Sequence, residues 1–271
     1  MPLRIEDTFR DALRNQNGKA GRPLAGMWVC SGSPLIAEVC AGSGLDWLLV
    51  DAEHSPNGLE SILAQLQAIS GYPVHAVVRP PVNDTVLIKQ YLDLGVQNLL
   101  IPMVNSAADA EAAVAATRYP PHGVRGVGSA LARASRWNRI PDYLDRAAET
   151  ISVTVQIEST AAVEAVDKIL DVDGVDAIFL GPSDLAASMG VLGQQEHPEV
   201  RAAVEHCLEA AKAAGKPAGV NAFNPVTANQ YLDSGANFIL VGADVALLAR
   251  GSEALAAQFI RRSDGGSPAS Y

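Results

Sequence analysis

The sequence predicts an α/β fold, a (β/α)₈ TIM barrel, and three observations carry that reading. Eight short apolar runs recur along the chain, each followed by a stretch with helix-start and helix-stop residues. Strands that alternate with helices pair in parallel, and eight such units close on themselves. No Gly-x-Gly-x-x-Gly follows the first strand, which weakens an open doubly wound sheet as the alternative. With 271 residues, 48% apolar and 18% charged, the chain can fill one large core. Barrels of this length are commonly one domain, here 1–271.

In chain order, an amphipathic helix from Ile5 to Asn15 ends at Asn17-Gly18, where glycine can cap it. Gly26 to Cys30 is the first strand. Ser33 caps the next helix with Pro34 in its first turn, and Gly42 to Gly44 stop it. The second strand is the apolar run Trp47-Leu48-Leu49-Val50, which empties into Asp51-Ala52-Glu53-His54. Asn57 caps a helix from Leu59 to Ile69. The third strand, His75 to Arg79, ends at Pro80-Pro81, and Asp84 caps a helix through Leu94. The fourth strand is Asn98 to Pro102, with an Ala-rich helix from Ala107 to Thr117.

An irregular span follows, Tyr119 to Asn138, rich in Gly and Arg; loops this long in a compact domain tend to be functional. Ser152 to Ile157 is the fifth strand and Ala161 to Leu170 its helix. Asp176 to Leu180 is the sixth, with a short turn of helix at 181–185 and a long helix from Pro198 to Ala214. Pro217 to Phe223 and Phe238 to Val241 are the last two strands, with helices at Pro225 to Ser234 and Asp244 to Phe259. The Gly/Ser-rich tail, Ser263 to Tyr271, reads as loose.

The net charge is −10, and no Lys/Arg cluster stands out, so nucleic acid is a poor partner. Cys30, Cys40 and Cys207 have neither disulfide-framework nor zinc spacing and read as reduced thiols. The N-terminus lacks the apolar stretch of a signal peptide, and no run is long enough to span a bilayer. A cytoplasmic protein without membrane partners is the expectation.

In a parallel barrel, polar residues at strand C-termini share one mouth. They are Asp51, Glu53, His54, Arg79, Gln156, Glu158, Ser183, Asp184, Asn221 and Asp244. Any one taken alone is as readily a helix cap or an ion pair; their convergence points to an active site. Glu158 and Asp184 come from neighbouring strands and suit a hard divalent ion, Mg²⁺ or Mn²⁺, although Asp184 could equally cap a helix. Asp51 could orient the His54 imidazole as a general base. Arg79 ends an apolar strand and must face a carboxylate or an anionic substrate. Lys89, Lys168 and Lys212 read as helical, Lys19 as loop, and Lys216 precedes a strand at the wrong end, so none is available for a Schiff base.

The segments Trp47 to Asn57, Val78-Arg79-Pro80, Tyr119 to Tyr143, Val155-Gln156-Ile157-Glu158 and Leu180-Gly181-Pro182-Ser183-Asp184-Leu185 carry a family likeness. Over Gly26 to about Phe259 the chain resembles the HpcH/HpaI aldolases, metal-dependent pyruvate aldolases with barrels of the phosphoenolpyruvate/pyruvate type. The resemblance implies reversible cleavage of 4-hydroxy-2-oxo acids, such as 4-hydroxy-2-oxoheptanedioate, to pyruvate and an aldehyde. It implies that Glu158 and Asp184 bind the metal, Mg²⁺ or Mn²⁺ with Co²⁺ as a third candidate. Arg79 would hold the keto oxygen with Gln156 beside it, and the backbone from Gly181 to Ser183 would receive the carboxylate. His54, steadied by Asp51 and Asp93, would move the C4 hydroxyl proton. Trp28 and Asn221 complete the implied substrate-binding set. A homohexamer, a trimer of dimers with the C-terminal helix on a neighbour, is implied too. The Gly/Arg-rich loop would then help build the aldehyde end of the pocket.

Ser183 stands where relatives often carry Ala, and Asn221 where the heptanedioate enzymes carry an apolar residue. A polar side chain at 221 could favour hydroxylated substrates such as hydroxypyruvate. The alternatives are a CoA-thioester carbon–carbon lyase of the same superfamily and a non-catalytic barrel that binds a small anion.

Overall fold

Eight parallel strands close into a barrel in chain order, β1 to β8, in a computed structural model that describes residues 7–19 and 21–260. They are β1 (Leu24–Val29), β2 (Trp47–Asp51), β3 (His75–Arg79), β4 (Asn98–Ile101), β5 (Ser152–Ile157), β6 (Ala177–Leu180), β7 (Ala218–Asn221) and β8 (Phe238–Ala243). The helices that return the chain are α2 (Pro34–Ala41), α3 (Leu59–Ile69), α4 (Thr85–Asp93), α5 (Ala107–Thr117), α7 and α8 (Thr160–Glu164, Val166–Leu170), α10 (Pro198–Ala213), α11 (Pro225–Asp233) and α12 (Asp244–Phe259). A short α9 (Pro182–Ser188) sits between β6 and α10, α1 (Phe9–Lys19) precedes the barrel, and α6 (Tyr143–Arg146) lies in the long loop.

Several boundaries differ from expectation. The opening helix runs through Asn17-Gly18 to Lys19, while Ile5 and the tail lie outside the described residues. Gly58, not Asn57, is the N-cap of α3; Ser61 Oγ accepts its backbone N–H and donates to the Asn57 side-chain oxygen. The helix expected over 161–170 is two pieces that meet at Ala165. Ser33 and Asp84 cap α2 and α4 as read, each accepting backbone N–H groups of the first turn.

The two-residue period of the strands sorts their side chains into two cores. Leu48, Val50, Val78, Leu99, Val153, Val155, Ile178 and Val220 face outward and pack under the helices. Trp28, Trp47, Leu49, Val77, Leu100, Phe179, Phe238 and Leu240 face the lumen. The lower lumen is plugged by aromatic rings: Trp47 meets Phe238 at 5.7 Å and Phe179 at 6.1 Å between centroids, and Phe9 of α1 closes the end at 5.2 Å from Trp47. Glycine makes room for them. A Cβ on Gly26 would lie 2.4 Å from Trp47, and one on Gly219 would lie 2.3 Å from Phe238. Filled below, the barrel leaves its polar residues at the C-terminal end, where Trp47-Leu49-Asp51 and His75-Val77-Arg79 carry the inward face upward.

The long loop lies at the other end. It joins α5 to β5, and a helix antiparallel to the strands delivers the chain to their N-terminal face. Its arginines bind there: Arg125 to Asp93 at the end of α4, Arg133 to the Leu94 carbonyl and Arg118 to Asp173. Within one chain this loop therefore does not border the barrel mouth, and the expected part in the aldehyde end would fall to the loop of a neighbouring subunit.

Candidate active site

Asp51 organises the mouth. β2 and β3 are in register with Asp51 level with Arg79, so both side chains enter the lumen at one height. Asp51 Oδ1 accepts Arg79 Nε at 2.8 Å and the Glu53 backbone N–H at 3.0 Å, while Oδ2 accepts the His54 backbone N–H at 3.1 Å. Its carbonyl accepts from Ser55 Oγ and Asn57 Nδ2. A buried carboxylate needs such a full set of donors. Asp51 thus fixes the turn that carries His54 but does not bond the ring. Among the described residues, no hydrogen bond involves the exposed His54 imidazole.

Arg79 is only 4% exposed, and its guanidinium is held on several sides. Nη1 lies 2.8 Å from Glu53 Oε2 and 3.5 Å from Gln156 Oε1, and the Trp28 ring centroid is 4.2 Å from its central carbon. No described residue takes Nη2, which leaves a pre-oriented donor. Gln156 continues the chain of contacts by donating to Glu158 Oε2. The other Glu158 oxygen accepts the Met103 N–H at 2.7 Å, delivered by a left-handed turn (φ 53°) just past β4. Burial pushes the Glu158 carboxyl up to about 7; the charges of Glu53 and Asp184 add to this, opposed by the Met103 N–H and Arg79.

Asp184 is exposed in the first turn of α9, and its carboxylate accepts no hydrogen bond among the described residues. Helix capping, its bland alternative, is absent. The mouth thus gathers four carboxylates, Asp51, Glu53, Glu158 and Asp184, about one guanidinium, Arg79. Gly181 keeps the space beside Glu158 open, since a Cβ there would lie 3.2 Å from Glu158 Oε2. Uncompensated negative charge, hard oxygen donors and an unfilled cradle fit a divalent cation that retains water, as Mg²⁺ does. No group of three or more His, Cys, Asp or Glu side chains gathers as a metal cage among the described residues.

The remaining predicted residues divide. Ser183 Oγ donates to Gln195 Oε1 at 3.0 Å at the start of α9, and Asn221 Oδ1 accepts Trp28 Nε1–H at 3.1 Å. Asp244 is structural: its carboxylate binds the N–H groups of Cys30 and Ser31 and so pins the loop after β1. Asp93 does not join the site within this chain, because the last turn of α4 lies at the opposite face and its carboxylate pairs with Arg125 at 2.8 Å. Cys30 stays a thiol, pushed up to about 12 by burial and the nearby Asp51 and Asp244 charges. Lys89, Lys168 and Lys212 lie on return helices, and Lys216 binds the Val172 carbonyl below β7. Sequence reasoning left Glu53 without a role and missed Met103. The two-residue period from Asp51 points Glu53 inward, but nothing in the sequence announces the Met103 turn.

A family model described as HpcH/HpaI aldolase/citrate lyase matches residues 24–251. A Salmonella dublin protein named 4-hydroxy-2-oxo-heptane-1,7-dioate aldolase is 55% identical over 255 residues, covering 94% of this chain and 95% of the relative. Among solved structures, an HpcH/HpaI aldolase/citrate lyase family protein from Burkholderia cenocepacia superposes with a TM-score of 0.86 at 38% identity, over 91% of this chain and 98% of that one. An HpcH/HpaI aldolase from Desulfitobacterium hafniense gives a TM-score of 0.81 at 30% identity, over 94% and 99% of the two chains. With most of the barrel matched and one relative more than half identical, the chain belongs to the HpcH/HpaI aldolase/citrate lyase family and is a carbon–carbon lyase.

Proposed function

We propose that the protein is a divalent-metal-dependent aldolase that reversibly cleaves 4-hydroxy-2-oxo acids, 4-hydroxy-2-oxoheptanedioate or a related hydroxy-ketoacid, to pyruvate or hydroxypyruvate and an aldehyde. The observation that carries this reading is the Arg79 guanidinium, fixed between Asp51 and Glu53 with Nη2 taken by no described residue, beside the Glu158–Asp184 carboxylate pair. A donor held in place before reaction stabilises charge that develops on a keto oxygen without reorganisation. The relative named 4-hydroxy-2-oxo-heptane-1,7-dioate aldolase supports the same reaction.

Glu158 and Asp184 would hold the cation, Mg²⁺, Mn²⁺ or Co²⁺, which supplies Lewis acidity to the 2-oxo acid when bound. The backbone N–H groups that open α9 at Ser183, after Gly181-Pro182, receive the substrate carboxylate. His54, on the turn that Asp51 fixes, takes the proton from the C4 hydroxyl. As the C4–O bond gains carbonyl character, the C3–C4 bond breaks and its electron pair moves toward the C2 oxygen. Arg79 stabilises the resulting pyruvate enolate through Nη2. Protonation at C3 gives pyruvate, and the reverse sequence makes the bond. Asn221, whose amide N–H₂ is taken by no described residue, favours a hydroxylated donor or acceptor over a purely apolar one.

We place the enzyme in the cytoplasm as a homohexamer. Supporting an intersubunit role for α12, Leu247, Leu248, Leu255 and Phe259 on that helix are between 60% and 82% exposed, and Asp244 alone is buried there among the described residues. In the described residues, no helix is long and apolar enough to cross a membrane.

The test is a lactate-dehydrogenase-coupled cleavage assay over a panel of 4-hydroxy-2-oxo acids, run after EDTA and after return of Mg²⁺, Mn²⁺ or Co²⁺. Pyruvate release that disappears with EDTA and returns with metal is expected. Equal rates in both conditions would overturn the metal-dependent reading, and turnover of CoA thioesters alone would overturn the substrate class.

A further inference from the structure

We propose that Trp28 is a positioning residue that couples Asn221, at the end of β7, to the orientation of Arg79, so that position 221 governs enolate formation as well as aldehyde choice. The proposal rests on the aldolase reading above and adds a positioning role to a residue expected only to line the substrate pocket. Three contacts carry it. The Trp28 ring lies against the Arg79 guanidinium, 4.2 Å from its central carbon. The Trp28 indole N–H donates to Asn221 Oδ1 at 3.1 Å. The other constraints on Arg79, from Asp51, Glu53 and Gln156, reach only Nε and Nη1.

The carboxylates and Gln156 engage the guanidinium through Nε and Nη1. Its remaining freedom is a tilt out of their plane, which would swing Nη2 away from the oxygen it is to meet. A flat ring against the guanidinium opposes that tilt, provided that the ring itself cannot rotate. Trp28 is 8% exposed near the end of β1, among the lumen-facing side chains. Its one polar atom is the device that locks it. The indole N–H can only donate, so the Asn221 atom that receives it is the carbonyl oxygen, whichever way the amide is drawn. That bond spans the lumen from β1 to β7, two strands that are each paired with β8 but not with one another.

An apolar side chain at 221 would remove the acceptor, leave the indole N–H of a buried side chain unpaired and free the ring to rotate. Substitutions at this position made to change aldehyde preference should therefore also disturb the half-reaction that involves no aldehyde. That consequence separates the proposal from a simple lining role.

The decisive measurement is methyl-proton exchange of pyruvate in D₂O, followed by NMR with Mn²⁺ replaced by diamagnetic Mg²⁺ and no aldehyde present. Asn221→Leu and Trp28→Phe, the latter keeping a ring but losing the N–H, should each slow exchange roughly three- to tenfold. The double variant should be no slower than either single one, because both break the same bond. Trp28→Leu, which removes the ring face too, should lose more. Independently of activity, the indole N–H resonance that vanishes in Trp28→Phe should exchange with solvent at least about tenfold faster in Asn221→Leu than in the native protein, as expected for loss of a buried hydrogen bond. Native exchange with Asn221→Leu unchanged, or additive effects in the double variant, would overturn the coupling alone. An unprotected native indole N–H would do the same even if a variant folds poorly. Absence of exchange in the native protein with Mg²⁺ would instead overturn the aldolase reading, and this proposal with it.

Discussion

Arg79 Nε meets Asp51 Oδ1 at 2.8 Å across two neighbouring strands, and the same carboxylate holds the backbone N–H groups of Glu53 and His54. One buried carboxylate thus sets both the guanidinium and the turn that carries the imidazole. Removing either member of such a pair strands a charge in a dry site, which is far costlier than the bond itself is stabilising.

Arg79→Lys should therefore fail despite keeping the charge. A lysine ammonium cannot reproduce the planar fork that meets Asp51, Glu53 and Gln156 together. Steady-state kinetics should show kcat lower by roughly 10²- to 10³-fold, the usual loss for a pre-oriented charge-stabilising donor. A lysine variant within threefold of the native rate would remove Arg79 from that role.

His54→Ala should separate the two half-reactions. The imidazole is exposed and bonds no described residue, so its loss leaves the Asp51–Arg79 pair intact. Pyruvate exchange and metal binding should persist, while aldol turnover falls by roughly 10²- to 10⁴-fold. Full aldol turnover in this variant would end the base assignment.

Glu158 should make metal-free stability depend on pH. Its carboxyl is held up to about 7, against an ordinary value of 4.5, chiefly by burial. Between those values the folded protein keeps a proton that the unfolded chain has released. The contribution is thus complete below pH 4.5 and is lost as pH rises through 7. Thermal melts in EDTA should show part of this decline vanish in Glu158→Gln; unchanged slopes would refute it. A divalent ion competes for the same site, so its apparent affinity should weaken by up to about tenfold per pH unit below 7.

Gly219→Ala should destabilise without touching the chemistry. The new methyl would sit 2.3 Å from the Phe238 ring, which is itself stacked on Phe179 and edge-on to Trp47. Overpacking of this kind costs about 1–3 kcal/mol. Denaturant titration should give that loss with the slope unchanged, and a neutral result would mean that the aromatic plug can shift.

Much of the fold was legible because each strand announces itself locally. Trp47–Asp51, His75–Arg79 and Ser152–Ile157 are short apolar or alternating runs bounded by turn residues, and their limits needed little tertiary information. Caps such as Ser33 and Asp84 were equally local, since a side chain bonding its own first turn is a matter of neighbours in sequence. The helix break at Ala165 and the run of α1 through Asn17-Gly18 left no such mark.

By itself the sequence determined the eight strand–helix units, the polar set at their C-terminal ends and the family likeness that names Glu158, Asp184, Arg79 and His54. Only the tertiary structure decided how those residues are used. It turned Asp51 from a partner of the His54 ring into the anchor of Arg79, gave Glu53 the other side of that guanidinium, and sent Asp93 and the arginine-rich loop to the far face. The physical reason is the closed barrel. Closure turns a two-residue side-chain period into a shared lumen, and antiparallel helices carry every αβ connection away from it. Which carboxylate meets which donor then depends on register between strands, a quantity that no single stretch of sequence contains.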